Sequence, residues 1–246
     1  MIELKIAGLK VRILNDNPLL NDKCEKYICG DKLSPPDITI KIDEFDMKKE
    51  KSSDSENNLL LDEVQTEYLS IYRKLCEKIL DFDGFLMHAS VVEKDGEAFA
   101  FTAPSGTGKS THARLWRENL SNVHSVNDDK PIMRVINGTI CACGTPWCGK
   151  HNLSENIIIP LRSICFLEQA SENTIVCSDP KSEIHNLLFQ VYRPKSKELL
   201  IKTLDLVDNV IKNIPIYRMK CNMEPDAAYM SYDMMHCAQK PVPERF

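Results

Sequence analysis

Ala98-Phe99-Ala100-Phe101-Thr102-Ala103-Pro104-Ser105-Gly106-Thr107-Gly108-Lys109-Ser110-Thr111 is the stretch that decides the fold. An apolar, strand-like run breaks into a Ser/Gly/Thr/Gly turn and reopens as a helix-like run through Leu115 and Trp116. That order is what a phosphate-cradling P-loop requires. Gly106 and Gly108 have no side chain, so the backbone there can take positive φ and turn successive N–H groups toward phosphate oxygens, backed by the positive end of the following helix. Pro104, Ser105, Gly106, Thr107, Gly108, Lys109, Ser110 and Thr111 are therefore expected to bind a nucleotide. Lys109 would reach the β and γ phosphates, and the Ser110 hydroxyl would serve the accompanying Mg²⁺. Ala103 stands where the strict pattern has its first glycine, a position that needs a small residue more than a special backbone angle.

Outward from this stretch, Phe85 to Val92 and residues 97–102 flank Asp95-Gly96, a hairpin signature. Ile2, Leu4, Ile6 and then Leu9, Val11, Ile13 alternate about Gly8 and predict another hairpin over 2–14, with Ile38, Ile40 and Ile42 as a further strand. Residues 1–45 thus read as a β-rich portion. Residues 46–58 are almost wholly charged and polar and read as a flexible surface loop. Apolar residues at three- and four-residue spacing from Leu61 to Leu80 predict an amphipathic helix over 62–81. Strands are expected at 123–126, 131–136, 139–143 and 163–168, helices at 181–191 and 196–213, and a loose proline-rich tail from Gln239. No linker or internal repeat interrupts the chain, so 1–246 reads as one domain.

Composition excludes several classes. The 246 residues are 43% hydrophobic and 27% charged, ordinary for a soluble globular protein, and no apolar run approaches a membrane span. The start lacks a signal-peptide layout, so the chain is expected in the cytoplasm, with no membrane partner. Net charge is −5 with basic residues scattered, which argues against nucleic acid. Ten cysteines in a chain of this size read as reduced thiols, and the C-x-C-x₄-C spacing of Cys141, Cys143 and Cys148 lacks the second pair that a zinc site shows. Nothing here excludes a homo-oligomer.

A nucleotide motif names no reaction until an acid is found beyond it. Val123 to Val126 ends in Asn127-Asp128-Asp129-Lys130, and adjacent aspartates at a strand end can hold magnesium and accept a proton from an attacking hydroxyl. His88 precedes the glycine turn by one hairpin and suits proton transfer or a phosphate contact, or else sits half-buried on its strand. Gly144 to His151 reads equally as a flap, with Trp147 on a nucleotide or peptide and Lys150 on phosphate, or as a turn with Trp147 buried. Arg114 and Arg117 read as solvated helix arginines.

The ordered set His88-Ala89-Ser90, Ala103 to Ser110 and Asn127-Asp128-Asp129 resembles the catalytic domain of HPr kinase/phosphorylase, over about residues 84–170. The resemblance implies an α/β fold, a P-loop core related to phosphoenolpyruvate carboxykinase with a mixed β-sheet and flanking helices. It also implies an ATP-type donor, Mg²⁺, and a serine hydroxyl as acceptor. Asp128 would be the base, Asp129 would help with metal, and His88 and Lys109 would complete the catalytic set. The family's later glutamate-arginine-glycine signature is absent, and Gly144 to His151 stands in its place. The expected function is transfer of the γ phosphoryl group to a hydroxyl on a protein, peptide or small molecule. The rival is a nucleotide-binding regulatory module with little turnover. A carboxykinase-like enzyme would need a second metal and acid-binding arginines that the sequence does not assemble.

Overall fold

The Ala7-Gly8 pair takes positive φ (50° and 83°) and folds β1 (Ile2–Ile6) back on β2 (Leu9–Ile13). The computed structural model describes residues 1–31, 33–56 and 61–237, with the backbone alone over 52–56. α1 (Pro18–Lys23) follows, its first turn capped by the Asn17 side chain, and β3 (Ile38–Ile40) then joins β2 in parallel to close a three-stranded sheet. Next comes α2 (Glu44–Glu56), where the sequence predicts a loop over 46–58. Lys, Glu and Met favour helix, and the segment is tied down rather than loose. Asp46 pairs with Lys74 at 2.5 Å, Glu50 with Arg73 at 2.6 Å, and Met47 packs into the adjacent core. Residues 57 and 58 lie outside the described residues, as does the proline-rich tail.

α3 (Glu63–Lys78) begins with a capping box, Asp62 accepting from the Gln65 N–H while the Gln65 side chain accepts from the Asp62 N–H. Its apolar face, Tyr68, Ile71 and Leu75, covers the small sheet through Leu4, Val11 and Ile40. The same core takes in Ile132, Cys143 and Trp147 from the large sheet.

That sheet contains β4 (Gly84–Leu86), β5 (Ala89–Lys94) and β6 (Glu97–Thr102), then, after α4 (Lys109–Asn119), β7 (Val123–Asn127), β8 (Ile132–Ile136), β9 (Thr139–Cys143) and β10 (Ile158–Gln169). β11 (Thr174–Cys177), α5 (Ile184–Phe189), α6 (Lys197–Asn213), β12 (Ile216–Cys221) and α7 (Asp226–Cys237) complete the described chain. The order is β4-β8-β9-β10-β6-β5-β7, with β12 on β10 and β11 on β12. β10 pairs antiparallel with β9 over its first residues and parallel with β6 and β12 beyond. The protein is thus α/β, a mixed sheet with helices on both faces. The helix expected over 181–191 is a 3₁₀ turn (Pro180–Glu183) running into α5, and β11, β12 and α7 carry no expectation from sequence.

Alternation along β6 divides the two faces. Ala98 and Ala100 face the core shared with α5 and α6, while Phe99 and Phe101 face α4 and α7. Phe99 and Phe101 hold Trp116 at ring-centroid distances of 5.0 and 5.2 Å, each buried ring contributing about 2 kcal/mol. Trp116 Nε1 donates to Ser231 Oγ at 2.7 Å, and His112 Nε2 lies 3.0 Å from the same hydroxyl, so α7 fixes the rotation of α4. Burial drops His112 to about 4, which keeps it neutral.

The ten cysteines stand unpaired. Burial pushes the Cys24, Cys76 and Cys143 thiols up to about 12, and they behave as apolar core groups. No helix among the described residues is long and apolar enough to cross a membrane.

Candidate functional site

β5 lies between β6 and β7 and runs antiparallel to both, so its start sits beside their ends: Ala89 is opposite Thr102, and Val91 opposite Asn127. This register brings three separated motifs together. The glycine turn leaves β6, the aspartate pair leaves β7, and His88 and Ser90 stand between them.

The turn has the backbone that its glycines allow. Gly106 has φ +81° and Gly108 φ +113°, and a Cβ at either would meet nothing within 4 Å, so both face open space. Gly108 caps α4 without a side-chain hydrogen bond, which leaves the first N–H groups of the helix to an outside acceptor. Lys109 Nζ donates to the carbonyls of Ala103 (2.9 Å) and Pro104 (3.3 Å). Burial pulls this ammonium below its ordinary value, against the opposing charge of Asp129. Gln169, at the end of β10, braces the turn through the carbonyls of Gly106 and Thr107.

The two aspartates occupy contrasting surroundings. Asp128 is buried; its Oδ1 accepts from the Gly149 N–H at 2.6 Å, while Oδ2 is buried with no hydrogen-bond partner among the described residues. Burial raises its pKa, and the Asp129 charge adds to the rise, against the pull of the Gly149 N–H. Burial also pushes Asp129 upward, but His88 Nε2 at 3.2 Å and Lys130 Nζ at 3.3 Å from its Oδ1 outweigh it and hold the carboxyl below its ordinary value. Neighbouring carboxylates driven apart in this way can divide proton transfer and metal binding between them.

Asn127 organises both. Its Oδ1 accepts from the N–H groups of Asp129 (2.9 Å) and Lys130 (2.6 Å), and its Nδ2 donates to Thr145 O (3.0 Å) and Trp147 O (3.3 Å). One fully buried amide therefore joins the aspartate turn to the Gly144 to His151 loop. Ser90 Oγ donates to Asp128 O at 2.9 Å and lies 3.4 Å from Ser110 Oγ, linking pair and turn.

An open cleft of about 960 Å³ collects these groups. His88, Ser105, Gly106, Gly108, Lys109, Ser110, Thr111, Asp128 and Asp129 line it, while Pro104 and Thr107, expected from sequence to bind nucleotide, do not, the Thr107 N–H donating to Pro104 O. Trp147 is buried against Tyr68 and Tyr72 (centroids 5.9 and 5.6 Å), which decides between the two readings of its loop; only Gly149, Lys150 and His151 of that loop reach the cleft. Arg114 and Arg117 line the cleft as well, where the sequence suggests plain solvated residues. The sequence assigns Ser90, Asn127 and Gly149 no role of their own, because the bonds Asn127 Nδ2 to Thr145 O, Gly149 N–H to Asp128 and Ser90 Oγ to Asp128 O span 18 to 38 residues.

A family profile described as "SynChlorMet cassette protein ScmC" matches residues 49–226, which includes every cleft residue. The chain belongs to the ScmC family. Among solved structures, this ScmC-family chain is similar to the HPr(Ser) kinase/phosphatase from Coxiella burnetii, with 13% identity and a TM-score of 0.29 over 50% of this chain and 94% of that one. No curated protein matches it.

Proposed function

We propose that the chain is an HPr-kinase-like P-loop kinase that moves the γ-phosphoryl group of ATP to a hydroxyl, a serine above all, on a protein, peptide or small molecule in the cytoplasm. The observation that carries this is the split aspartate pair: a raised carboxyl with an orphan buried oxygen beside a lowered one, both in the cleft that the glycine turn opens.

The residues fit ATP and Mg²⁺. Two open glycines and an uncapped helix start suit phosphates. No group of three His, Cys, Asp or Glu side chains converges among the described residues, but Mg²⁺ carried by phosphates needs only one or two carboxylates. Ser110 and Asp129 would hold it, with Asp128 adjacent, and when bound the ion neutralises charge on the transferring group. The N–H groups of the turn and Lys109 orient the phosphates. His88 keeps Asp129 anionic and aimed. The Asp128 carboxylate takes the acceptor's proton as the new O–P bond forms and the bond to the ADP oxygen breaks. Positioning and electrostatics do most of the work.

Lys109→Ala is expected to weaken ATP binding by about 10- to 100-fold, the worth of one or two charge-assisted hydrogen bonds, in a protein that remains folded. Calorimetric titration with ATP and Mg²⁺ reads this, and equal affinities would remove the phosphate role of the turn. Asp129→Asn is expected to raise the Mg²⁺ concentration needed for half-maximal transfer, since a neutral amide is a poorer ligand for a hard cation. The function itself is tested by transfer of labelled phosphate from ATP to serine-containing acceptors. Binding of ATP without transfer or hydrolysis would leave a regulatory module instead.

A further inference from the structure

We infer that the acceptor is anionic, carrying a carboxylate or phosphate close to its hydroxyl, and that Arg114 and Arg117 of α4 receive that charge. The inference rests on the kinase reading above and names its acceptor class. Ser110, Arg114 and Arg117 stand at i, i+4 and i+7, one stripe on α4, and all three line the cleft. At 1.5 Å per residue, Arg114 lies about 6 Å and Arg117 about 10 Å along the axis beyond the hydroxyl assigned to the metal. The stripe leads away from the helix start, where the donor phosphates would sit. Ser125, Leu153 and Asp128 line the same cleft.

Charge supports this. The chain carries 36 acidic against 31 basic residues, yet among the described residues Lys109, Arg114, Arg117 and Lys150 line the cleft against Asp128 and Asp129. Lys109 is committed to the turn. Arg117 Nε is buried with no hydrogen-bond partner among the described residues, a desolvated donor facing no acceptor. Arg114 pairs with exposed Glu118 at 3.5 Å, an i,i+4 contact weak enough to yield to a better anion. Two guanidinium forks one turn apart suit the planar oxygens of a carboxylate or the face of a phosphate.

The test uses the full chain with ATP and Mg²⁺. Four acceptors are offered: a serine peptide flanked by Asp, the same peptide flanked by Asn, glycerate, and glycerol. Phosphate transfer is measured, and in parallel peptide binding by calorimetry with a non-hydrolysable ATP analogue present. The Asp peptide or glycerate should exceed its neutral counterpart by about tenfold or more, and whichever does so identifies the source of the charge. Arg114→Gln with Arg117→Gln should erase that preference while ATP affinity stays unchanged, which also reports an intact fold. Equal use of neutral and anionic acceptors, a preference that survives the double substitution, or a loss of ATP affinity in its place overturns the inference. If no acceptor is phosphorylated yet the Asp peptide binds and the double substitution weakens it, the anion site stands and the kinase reading falls. If no anionic probe binds or reacts, the inference falls.

Discussion

Asp128→Asn is expected to slow phosphoryl transfer by about 100- to 10,000-fold, the range for loss of a general base, while ATP affinity changes far less. The amide keeps the shape of the carboxyl and can still accept from Gly149 through its oxygen, but it cannot take the acceptor's proton. Stability should move the other way. Burial raises Asp128 above its ordinary value in the folded chain, so folding favours the protonated form. Its contribution to stability is complete below the unfolded pKa and is lost as pH rises through the folded one. At neutral pH the buried charge therefore works against the fold, and Asn removes it. The variant should melt at the same or a higher temperature than the parent near pH 7, with the gap closing on acidification. Labelled-phosphate transfer and a pH series of thermal melts give both halves. A variant that transfers at the parent rate removes the base assignment, and one that melts markedly lower at neutral pH removes the account of the buried charge.

Gly144→Ala is expected to destabilise the fold by about 3 kcal/mol, at the upper end for forced overpacking, which in a chain of this length lowers the melting temperature by about 10 °C. A Cβ there would stand 1.8 Å from the carbonyl oxygen of Glu155 and 2.8 Å from that of Val126. Both obstacles are backbone, so no rotamer relieves them. The Gly144 N–H also donates to Ile157 O and the Glu155 N–H to Val126 O, so the strain falls on the ladder that aligns the end of β7. A melt within a degree of the parent would show that the two segments do not meet as closely as described.

The glycine turn and its flanking strand and helix were legible because all three parts are contiguous and each obeys a local rule. The hairpin at Asp95-Gly96 was legible for the same reason, both residues taking the positive φ that such turns need. His88 was placed near the turn by counting strands, and the register bears this out. The loop expected over 46–58 is contradicted over 46–56, because low apolar content was read as inability to order. The helix there is secured by Asp46 and Glu50 reaching partners on α3, which no local window contains. Asn127 stood in the resembled motif with no role of its own, since its bonds to the carbonyls of Thr145 and Trp147 exist only where the folded chain brings them near. Strand β12 carries no expectation from sequence: Tyr217 and Met219 share one buried face with exposed Arg218 between them, but Ile216 is buried too, and nothing in one sequence says that the segment would lie beside β10.

None of the described residues among 1–40 lines the cleft, yet their sheet shares a core with Trp147, whose next-but-one neighbour Gly149 grips Asp128. If Asp128 takes the proton, the stiffness of that grip is borrowed from Leu4, Val11 and Ile40, far from any reacting atom. Drift in those side chains would be felt as lost turnover before it was felt as unfolding. On that reading the small sheet is a foundation for the chemistry and not an appendage to it.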